Sequence, residues 1–560
     1  LLKLKQTLSL KYPRKNNGLA SKSSSSNTPE IIIENGFQGS QYNNRVPNDN
    51  TLAISNDGVI VSGINSKFFF YDTNNDSILE EGTLHSFTTG FPQFNTVSKY
   101  DPKFIYDPDE DRFIISFLIG TAYQNSNICV AFSSSNNPSD PWNVYLLSGN
   151  PLGTDHWTDY PAIALSKDEL FITGNLLANG VSWQLGFQQS LIWQIDKYDG
   201  YNGETSLDMQ IWSDIKDDSI YIRNLHPARG ARGLRGPNQF LLSNKNFSAE
   251  SDTVYLIEVT NTLNSGLASL NLTRLSLPDH YFLSPNGKQS INKELSTNDS
   301  RMLGAVIDDN WIQYVHHSMD TTYGTAGIYH GIIENYSSAP EINGTILSDS
   351  IMDYGYPNIA STGINPNEKE CIIGFNYTSA IDTNGVACYY MDNLNNYSER
   401  TQLKNGDAPI NSFVNGQIDR WGDYFGIQRW YSNPCKVWMS GMYGGLTSNA
   451  SWISSVAVSD TCRNPDPIIS IEPPFIDGTL YPNPSIDWMI YDFTLEETQM
   501  ISISIYDTQG KLVKTLYNDQ ASSGENRLSF NTYYLEQGLY IIQISSQNEV
   551  LSTKKFMKGF

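Results

Sequence analysis

The chain has 560 residues, which is more than one compact core usually holds, so it divides into domains or repeats a structural unit. Aromatic residues make up 12% of the chain and charged residues only 17%, a composition typical of sheet proteins rather than helical ones. The formal net charge of -23 argues against nucleic acid and anionic lipid as partners, and no apolar run is long enough to cross a membrane as a helix.

The first 28 residues differ in composition from the rest of the chain. They are rich in Lys and then in Ser, as in KSSSSN, which predicts an extended, solvated lead-in over residues 1–28. The opening LLKLKQTLSL lacks the continuous apolar core of a secretory signal. PEIIIENG, residues 29–36, is then an isolated β-branched strand with no partner strand of its own.

Seven segments repeat one pattern, in which a short opening strand and a turn lead into a strongly apolar strand. A third apolar strand follows each pair, and usually a more polar fourth, such as WNVYLLS or RTQLKN. Four antiparallel strands per repeat are typical of a propeller blade, so the sequence predicts an all-β fold with a seven-bladed β-propeller over residues 29–462. The segments begin at Thr51, Asp101, Asp159, His226, Arg301, Gly355 and Gly422.

The seventh repeat has no fourth strand, because WISSVAVS is followed directly by DTCRNPDP. An open blade would leave an unpaired strand edge. We therefore predict that the strand at residues 29–36 pairs on the outside of the last blade and closes the ring.

The five cysteines include one candidate disulfide, between Cys435 and Cys462. The first begins the strand CKVWMSGMY and the second follows WISSVAVSDT, so an antiparallel hairpin would bring them together. Cys371 and Cys388 also flank a hairpin, but they lie a few residues out of register. Cys129 is predicted to be a buried apolar side chain.

The phrase D-x-W-x-D-Y occurs twice, as DHWTDY at residues 155–160 and as DRWGDY at residues 419–424. Its simplest interpretation is structural, because Asp caps backbone N–H groups and the aromatic rings wedge between blades. Loops that lead into innermost strands also meet at one mouth of the central channel, where mixed carboxylates and guanidiniums suit a polar, glycan-like ligand. The candidate ligand-binding residues are Asp101, Asp155, His156, Asp159, His226, Arg229, Arg301, Asp353, Arg420 and Asp423.

The segment RNLHPARGARGLRG places four arginines close together in an otherwise acidic chain. Guanidinium groups bind carboxylate, sulfate or phosphate through paired hydrogen bonds. Two interpretations remain open: the arginines pair with carboxylates of neighbouring blades, or they form a site for an anionic sugar. The four are Arg223, Arg229, Arg232 and Arg235.

Catalytic and metal-binding motifs are weak. A glycoside hydrolase needs two carboxyl groups at a set separation, and the predicted mouth holds several Asp residues. The sequence has no S-x-D-x-G-x-x-W turn of the sialidase kind, no G-x-S-x-G and no H-E-x-x-H. No cofactor or metal is predicted; the acidic turns at residues 72–77 and 107–111 offer oxygen ligands to Ca²⁺, but neither has the spacing of a known calcium loop.

A proline-rich segment at residues 463–477 predicts a linker, followed by a second domain at residues 478–560. The strict alternation of MISISIYD, KLVKTLY and GLYIIQISS predicts a small, Ig-like β-sandwich of six or seven strands.

Four groups of residues give this second domain a specific signature. They are Tyr481, Pro482, Asn483 and Pro484 before the sandwich, Tyr506, Asp507, Gly510 and Lys511 at a hairpin, Gly538, Leu539 and Tyr540 at the penultimate strand, and Lys554, Lys555 and Phe556 in the last strand. The domain resembles the type A C-terminal sorting domain of the type IX secretion system of Bacteroidota. This resemblance implies passage through the periplasm and the outer-membrane translocon, contact with its shuttle barrel, and a final location outside the cell or on its surface.

The propeller more loosely resembles secreted bacterial propellers of unassigned activity. The matching positions are Asp101, Pro102, Tyr106, Asp107, Arg112, Phe113 and residues 420–424. The whole sequence therefore predicts an exported propeller that binds a glycan or a protein partner. Two alternatives remain open: a polysaccharide-active hydrolase with its site at the channel mouth, and an accessory subunit of an outer-membrane assembly.

Overall fold

The computed structural model describes residues 1–15, 31–41, 47–412, 416–446, 448–458, 478–495, 498–508, 510–546 and 549–559. The chain forms two compact units, Leu1–Cys462 and Arg463–Phe560. In the described residues, helices are short, and none is long and apolar enough to cross a membrane. They are α1 (Leu2–Lys11), α2 (Trp183–Gly186), α3 (Lys197–Asn202) and the 3₁₀ helices Leu84–Thr88, Pro92–Phe94 and Leu263–Ser265.

The first unit opens with one long strand and then forms successive antiparallel sheets, which we number as blades. β-Branched and aromatic residues, bounded by Asn, Asp and Gly turns, make these segments strands. The first strands are β1 (Ile31–Gln41), then β2 (Thr51–Ile54), β3 (Val59–Ile64), β4 (Lys67–Asp72) and β5 (Ser77–Thr83) in blade 1, β6 (Lys99–Asp107), β7 (Arg112–Ile119), β8 (Asn127–Ser133) and β9 (Trp142–Ser148) in blade 2, and β10 (His156–Leu165), β11 (Glu169–Ala178), β12 (Phe187–Asp196) and β13 (Met209–Trp212) in blade 3.

Blades 4 to 7 follow the same plan with a few short additions. The strands are β14 (Lys216–Asp217), β15 (Ile220–Tyr221), β16 (His226–Pro227), β17 (Arg229–Gly230), β18 (Gln239–Asn244), β19 (Glu250–Thr260), β20 (Ser269–Phe282), β21 (Gly287–Lys288), β22 (Glu294–Ser296), β23 (Met302–Ile307), β24 (Trp311–Asp320), β25 (Thr325–Glu334), β26 (Glu341–Leu347), β27 (Asp353–Ser361), β28 (Cys371–Thr378), β29 (Gly385–Met391), β30 (Thr401–Lys404), β31 (Ile418–Arg420), β32 (Gly426–Trp430), β33 (Asn433–Gly444) and β34 (Asn449–Val458).

These strands complete a seven-bladed propeller. Blade 4 consists of β16, β18, β19 and β20, and blade 5 of β23 to β26, with β17 added in parallel at its edge. Blade 6 consists of β27 to β30, and blade 7 contains β32 to β34. The first strand of each blade contacts the first strands of its neighbours, and contacts of β2 with both β6 and β32 close the ring. The outermost strands β20 and β26 alternate between exposed and covered residues, as expected for an edge that faces water.

The predicted closure of the last blade is confirmed. Strand β1 pairs antiparallel with β34, with Ile31 opposite Val458 and Ile33 opposite Val456. The Ile31 side chain is buried, whereas Ile33 is 45% exposed. Blade 7 is thus built from both ends of the first unit, and its edge is not left open.

The prediction of an extended lead-in is wrong for residues 2–11, which form α1. Lys5 on this helix is buried, and its ammonium group donates hydrogen bonds to Asn286 Oδ1 (3.0 Å) and Thr297 Oγ1 (2.7 Å). These hydrogen bonds attach the helix to the segment between blades 4 and 5. The Lys-rich composition of residues 2–11 therefore did not indicate a solvated segment. Residues 16–28 of the predicted lead-in lie outside the described residues.

The structure describes four of the five cysteines. Cys371 lies opposite Met391 and Cys388 opposite Gly374, so these two are out of register; both are free and buried, as is Cys129. Cys435 is disulfide-bonded, and its predicted partner Cys462 lies outside the described residues, as does the predicted linker at residues 463–477.

The second unit is a small β-sandwich. Its two sheets, β35-β36-β39 and β38-β37-β40-β41, share one apolar core that includes Tyr491, Ile503, Phe530 and Phe556. The strands are β35 (Gly478–Tyr481), β36 (Trp488–Leu495), β37 (Gln499–Tyr506), β38 (Leu512–Ala521), β39 (Gly524–Asn531), β40 (Gly538–Ser546) and β41 (Glu549–Lys558).

Several signature residues of this unit have structural roles. The Tyr540 ring stacks on the buried Phe556 ring with centroids 5.7 Å apart. Asp507 accepts the Lys511 backbone N–H (2.9 Å), and Gly510 has a φ of 78° in the same turn, a conformation that glycine adopts without a steric penalty.

The position of β1 in blade 7 predicts that replacing two of its isoleucines has unequal effects on the free energy of unfolding. We expect Ile31→Ala to lower the free energy of unfolding of the first unit by about 2 kcal/mol, because it removes a buried side chain from the blade 7 core. Ile33→Ala is the matched control and should change it by less than about 0.5 kcal/mol. Urea unfolding of the full chain measures both, and equal effects would contradict the register of β1 on β34.

Candidate functional site

The innermost strands are entered through an unusual backbone conformation. One residue near the start of the inner strand has a positive φ in each blade, although most of these residues are not glycine. In blades 2, 3 and 6 it precedes a proline at a β-bulge, which turns the chain toward the mouth of the channel. Such conformations are rare for bulky side chains and tend to occur at functional sites. The residues are Asp49, Asp101, Tyr160, Asn224, Asn298, Tyr356 and Gly422.

These strand starts surround a cavity of about 290 Å³ at one mouth of the channel. Its wall combines carboxylates, guanidiniums, side-chain amides and aromatic rings from blades 1 to 5 and from blade 7. The lining residues are Pro47, Asn65, Ser98, Tyr100, Asp101, Thr121, Asp159, Tyr160, Asn175, Leu177, Trp183, Arg223, Asn224, Asn298, Arg301, Arg420 and Asp423.

Five of the ten candidate residues come together in this cavity: Asp101, Asp159, Arg301, Arg420 and Asp423. They derive from blades 2, 3, 5 and 7 and are up to 322 positions apart in sequence (423 − 101). The ring therefore brings together distant positions, as the argument from inner-strand loops predicted.

Three candidates lie elsewhere on the propeller. Asp155 is 80% exposed and forms an ion pair with His156 (3.3 Å), and neither residue lines the cavity. Asp353 is buried and accepts two hydrogen bonds from Arg14 Nη2, at 2.7 and 2.8 Å, and others from the backbone N–H groups of Lys288 and Ala326. None of these three residues lines the mouth cavity.

The remaining two candidates, His226 and Arg229, lie deeper in the channel. They line a separate cavity of about 60 Å³ together with Lys103, Asn358 and Tyr424. Arg229 donates to the carbonyl oxygens of Ile427 (2.8 Å) and Ile359 (3.2 Å), so its guanidinium fills the channel and binds inner-strand backbone. Burial lowers the pKa of His226 to about 3, which keeps the imidazole neutral.

The two D-x-W-x-D-Y phrases meet at the floor of the mouth cavity. Tyr160 from blade 3 stacks on Tyr424 from blade 7, with ring centroids 5.1 Å apart and an angle of 24° between the rings. Tyr160 lines the mouth cavity and Tyr424 lines the channel cavity. The stacked pair therefore lies between the two cavities, and it joins the last residues of the two phrases.

Most charges in the wall are paired. Arg301 donates to both carboxylate oxygens of the buried Asp299, at 2.7 and 2.8 Å, and its guanidinium lies 4.2 Å from the Tyr160 ring. Arg420 pairs with Asp423, which also accepts a hydrogen bond from Asn298. Asp101 accepts a hydrogen bond from the Tyr424 hydroxyl at 3.1 Å.

The Asp159 carboxyl group has a raised pKa. Burial, followed by repulsion from Asp101 and Asp423, raises its pKa to about 7, and the hydrogen bond from the Tyr160 backbone N–H and the charge of Arg301 offset only part of this effect. Behind the wall, burial and the neighbouring Asp101 also raise the pKa of Asp49, whose carboxylate accepts hydrogen bonds from Asn65 (2.8 Å) and the Asp423 backbone N–H (3.2 Å). The mouth thus concentrates carboxyl groups in a partly dehydrated space.

The four clustered arginines have different roles. Arg232 pairs with Asp308 (2.5 Å) and Asp309 (3.2 Å), and Arg235 pairs with the same two residues. Arg229 binds backbone in the channel, and Arg223 lines the mouth cavity. Arg232 and Arg235 therefore follow the first interpretation, and the anionic-sugar site stays a prediction for Arg223.

Several cavity residues were missed in the sequence. They are Asn65, Asn175, Asn224 and Asn298, together with Tyr100, Tyr160 and Trp183. Asn is common in every turn of this chain, so composition does not single these positions out. A usable signal was the Y-P pair at Tyr160, where proline follows the bulged residue.

Within the described residues, no group of three or more His, Cys, Asp and Glu side chains is arranged to hold a metal ion. In the two acidic turns considered for Ca²⁺, carboxylates bind protein groups. Asp72 accepts the Asn74 backbone N–H at 2.8 Å, and Asp107 pairs with the buried Lys197 at 2.7 Å.

Comparison with known proteins identifies the second unit. Residues 479–558 match the family described as secretion system C-terminal sorting domain. No curated protein matches the chain.

Solved structures similar to the chain are distant. A chain of the mitotic checkpoint complex has a TM-score of 0.39 and 9% identity, covering 80% of this chain and 98% of its own. Trypanosoma rangeli sialidase in complex with the inhibitor DANA has a TM-score of 0.37 and 7% identity, with coverages of 94% and 90%. A mutant of Synechocystis apocarotenoid oxygenase has a TM-score of 0.35 and 8% identity, with coverages of 62% and 68%.

The fold and the family match together define a class: a β-propeller followed by a C-terminal sorting domain. The protein is a cargo of the type IX secretion system, exported across the outer membrane to the cell surface or the extracellular space.

The raised pKa of Asp159 predicts that this residue destabilises the fold. The folded protein keeps a proton that the unfolded chain releases between about pH 4 and 7, so the destabilisation grows with pH across that window. We expect Asp159→Asn to stabilise the protein by about 1 to 3 kcal/mol at pH 8 and by less at pH 5.

Chemical unfolding of the full chain at both pH values measures this difference. Asp155→Asn is the matched control, because Asp155 belongs to the same phrase but is exposed, and it should have little effect at either pH. A stabilisation by Asp159→Asn that is larger at pH 5 than at pH 8 would contradict the assignment.

Proposed function

We propose that the exported propeller binds a glycan in the mouth cavity. The observation that carries this proposal is the composition of the wall, in which four side-chain amides and paired charges surround Tyr100, Tyr160 and Trp183. A sugar ring presents hydroxyl groups at its edge and C–H groups on its faces, so it needs hydrogen-bond donors and acceptors beside aromatic surfaces.

The size of the cavity favours a small part of a glycan. Its volume of about 290 Å³ lies at the lower end of the ~300–1,000 Å³ range of small-molecule sites. The Tyr160–Tyr424 stack also blocks passage into the channel. Both features favour the terminal sugar of a glycan, or a sugar on one of its branches, over the middle of a continuous polysaccharide.

Export to the cell surface or the extracellular space is consistent with a ligand that lies outside the cell. The sorting domain brings the protein to the type IX secretion machinery. The similarity of its signature residues to type A domains supports the further proposal that it engages the outer-membrane shuttle barrel, with the propeller as the part that acts outside.

Trp183 offers a test of glycan binding. We expect Trp183→Ala to weaken binding of any glycan selected from an array by about tenfold or more, because the aromatic surface of the wall is lost. Trp488→Ala is the control, since Trp488 is 57% exposed on the sorting domain and does not line the cavity. Equal binding by wild type and Trp183→Ala would place the ligand elsewhere, and no binding by wild type would argue against the function.

Hydrolysis is a second candidate function, and Asp159 is the observation that favours it. A carboxyl group that keeps its proton near neutral pH can act as a general acid, and Asp101 and Asp423 provide further carboxyl groups in the same cavity. If the protein is a hydrolase, Asp159→Asn should reduce turnover by about a hundredfold or more while glycan binding persists. Product analysis with the bound glycan measures this, and a wild-type protein that binds the glycan without cleaving it excludes hydrolysis of that ligand.

A further inference from the structure

Arg223 differs from the other two arginines in the mouth cavity. Arg301 is paired with Asp299 and Arg420 with Asp423, so a carboxylate balances each charge. Arg223 makes no ion pair among the described residues. Its nearest balancing charge is Asp299, and both oxygens of that carboxylate already accept hydrogen bonds from Arg301.

The guanidinium of Arg223 is held in one plane. It lies 4.4 Å from the centroid of the Phe187 ring and 4.3 Å from that of the Phe247 ring. Cation–π contacts of this kind cover the faces of the guanidinium and leave its edge for hydrogen bonds. One edge donor, Nη2, binds the Trp183 carbonyl oxygen at 3.1 Å, which also ties Arg223 to another part of the cavity wall.

The edge of Arg223 is not satisfied by the protein. Its Nε atom is buried without a hydrogen-bond partner. Burial, with repulsion from Arg301, lowers its pKa to about 10, so the group stays charged at neutral pH. A half-buried cation with no ion pair and an incomplete set of acceptors carries a desolvation cost, and an anion bound beside it would offset that cost.

We propose that the ligand of the mouth cavity carries an oxyanion, a carboxylate or a sulfate, which Arg223 binds through paired hydrogen bonds. This inference rests on the proposed glycan-binding function and narrows it to acidic sugars. A planar guanidinium matches the geometry of both oxyanions. The amide and aromatic groups of the wall would then contact the sugar ring, while Arg223 contacts its charged substituent.

Three small probes test the inference on the full chain: methyl glucuronide, methyl glucoside and a sulfated glucoside, titrated by calorimetry or by NMR. We expect one of the two anionic probes to bind at least about tenfold more tightly than the neutral glucoside. A preference for the glucuronide assigns the oxyanion as a carboxylate, and a preference for the sulfated probe assigns it as a sulfate.

Variants of the arginine-rich segment localise the effect. Arg223→Gln should abolish the preference for the anionic probe over the neutral glucoside. Arg223→Lys keeps the charge but loses the planar fork, so it should keep part of the preference, and it serves as the second variant if Arg223→Gln fails to fold. Arg232→Gln is the matched control, because Arg232 pairs with Asp308 outside the cavity, and it should bind like wild type.

The outcomes separate this inference from the function on which it rests. If wild type binds the glucoside as tightly as both anionic probes, the inference is overturned and glycan binding stands. If Arg223→Gln and Arg223→Lys keep the full preference for the anionic probe, Arg223 is not the group that recognises it, and the inference is again overturned. If wild type binds none of the three probes, the proposed function falls together with the inference.

Discussion

The pairing of β1 with β34 is the constraint on which the rest of the propeller depends. It joins residues 31–41 to residues 449–458 and supplies the outer strand that blade 7 lacks. The seam between blades 7 and 1 is then sealed from the inside, where Gln428 Nε2 donates to the Ile54 carbonyl at 2.8 Å and the Asp423 backbone N–H donates to Asp49. The mouth cavity needs residues from both sides of this seam, so the site exists only when the ring is closed.

The mouth concentrates features that do not favour stability. Tyr160 has a positive φ, and the Asp159 carboxyl group has a raised pKa. The half-buried guanidinium of Arg223 makes no ion pair within the described part of the chain. Each of these states persists only where surrounding structure holds it in place. The large apolar blade cores provide that support, and under the proposed function a bound ligand offsets the cost of these groups.

The sequence was most informative where one local pattern repeats or matches a complete signature. Seven copies of the strand pattern indicated the blades, the missing fourth strand indicated the pairing of β1, and the residues from Tyr481 to Phe556 indicated the sorting domain. The site was only half predicted, because the direction of a side chain at a strand start depends on the bulge. Asp353 and Asp101 both lie near the start of an inner strand, yet Asp353 binds Arg14 and Asp101 lines the cavity. Helix α1 was missed because its stability depends on bonds from Lys5 to residues 286 and 297, which no local pattern reveals.

The shape of the site limits what it can recognise. The channel below the mouth is filled by the Tyr160–Tyr424 stack and by Arg229, which binds inner-strand carbonyl groups. Under the proposed function, a ligand therefore enters and leaves the mouth cavity through the same opening. All residues that line the cavity belong to the first unit, so loss of the sorting domain would remove no side chain from the wall. Arg223 lines this cavity and makes no ion pair with any residue that the structure describes, which fits the proposed recognition of a terminal group by its shape and charge together.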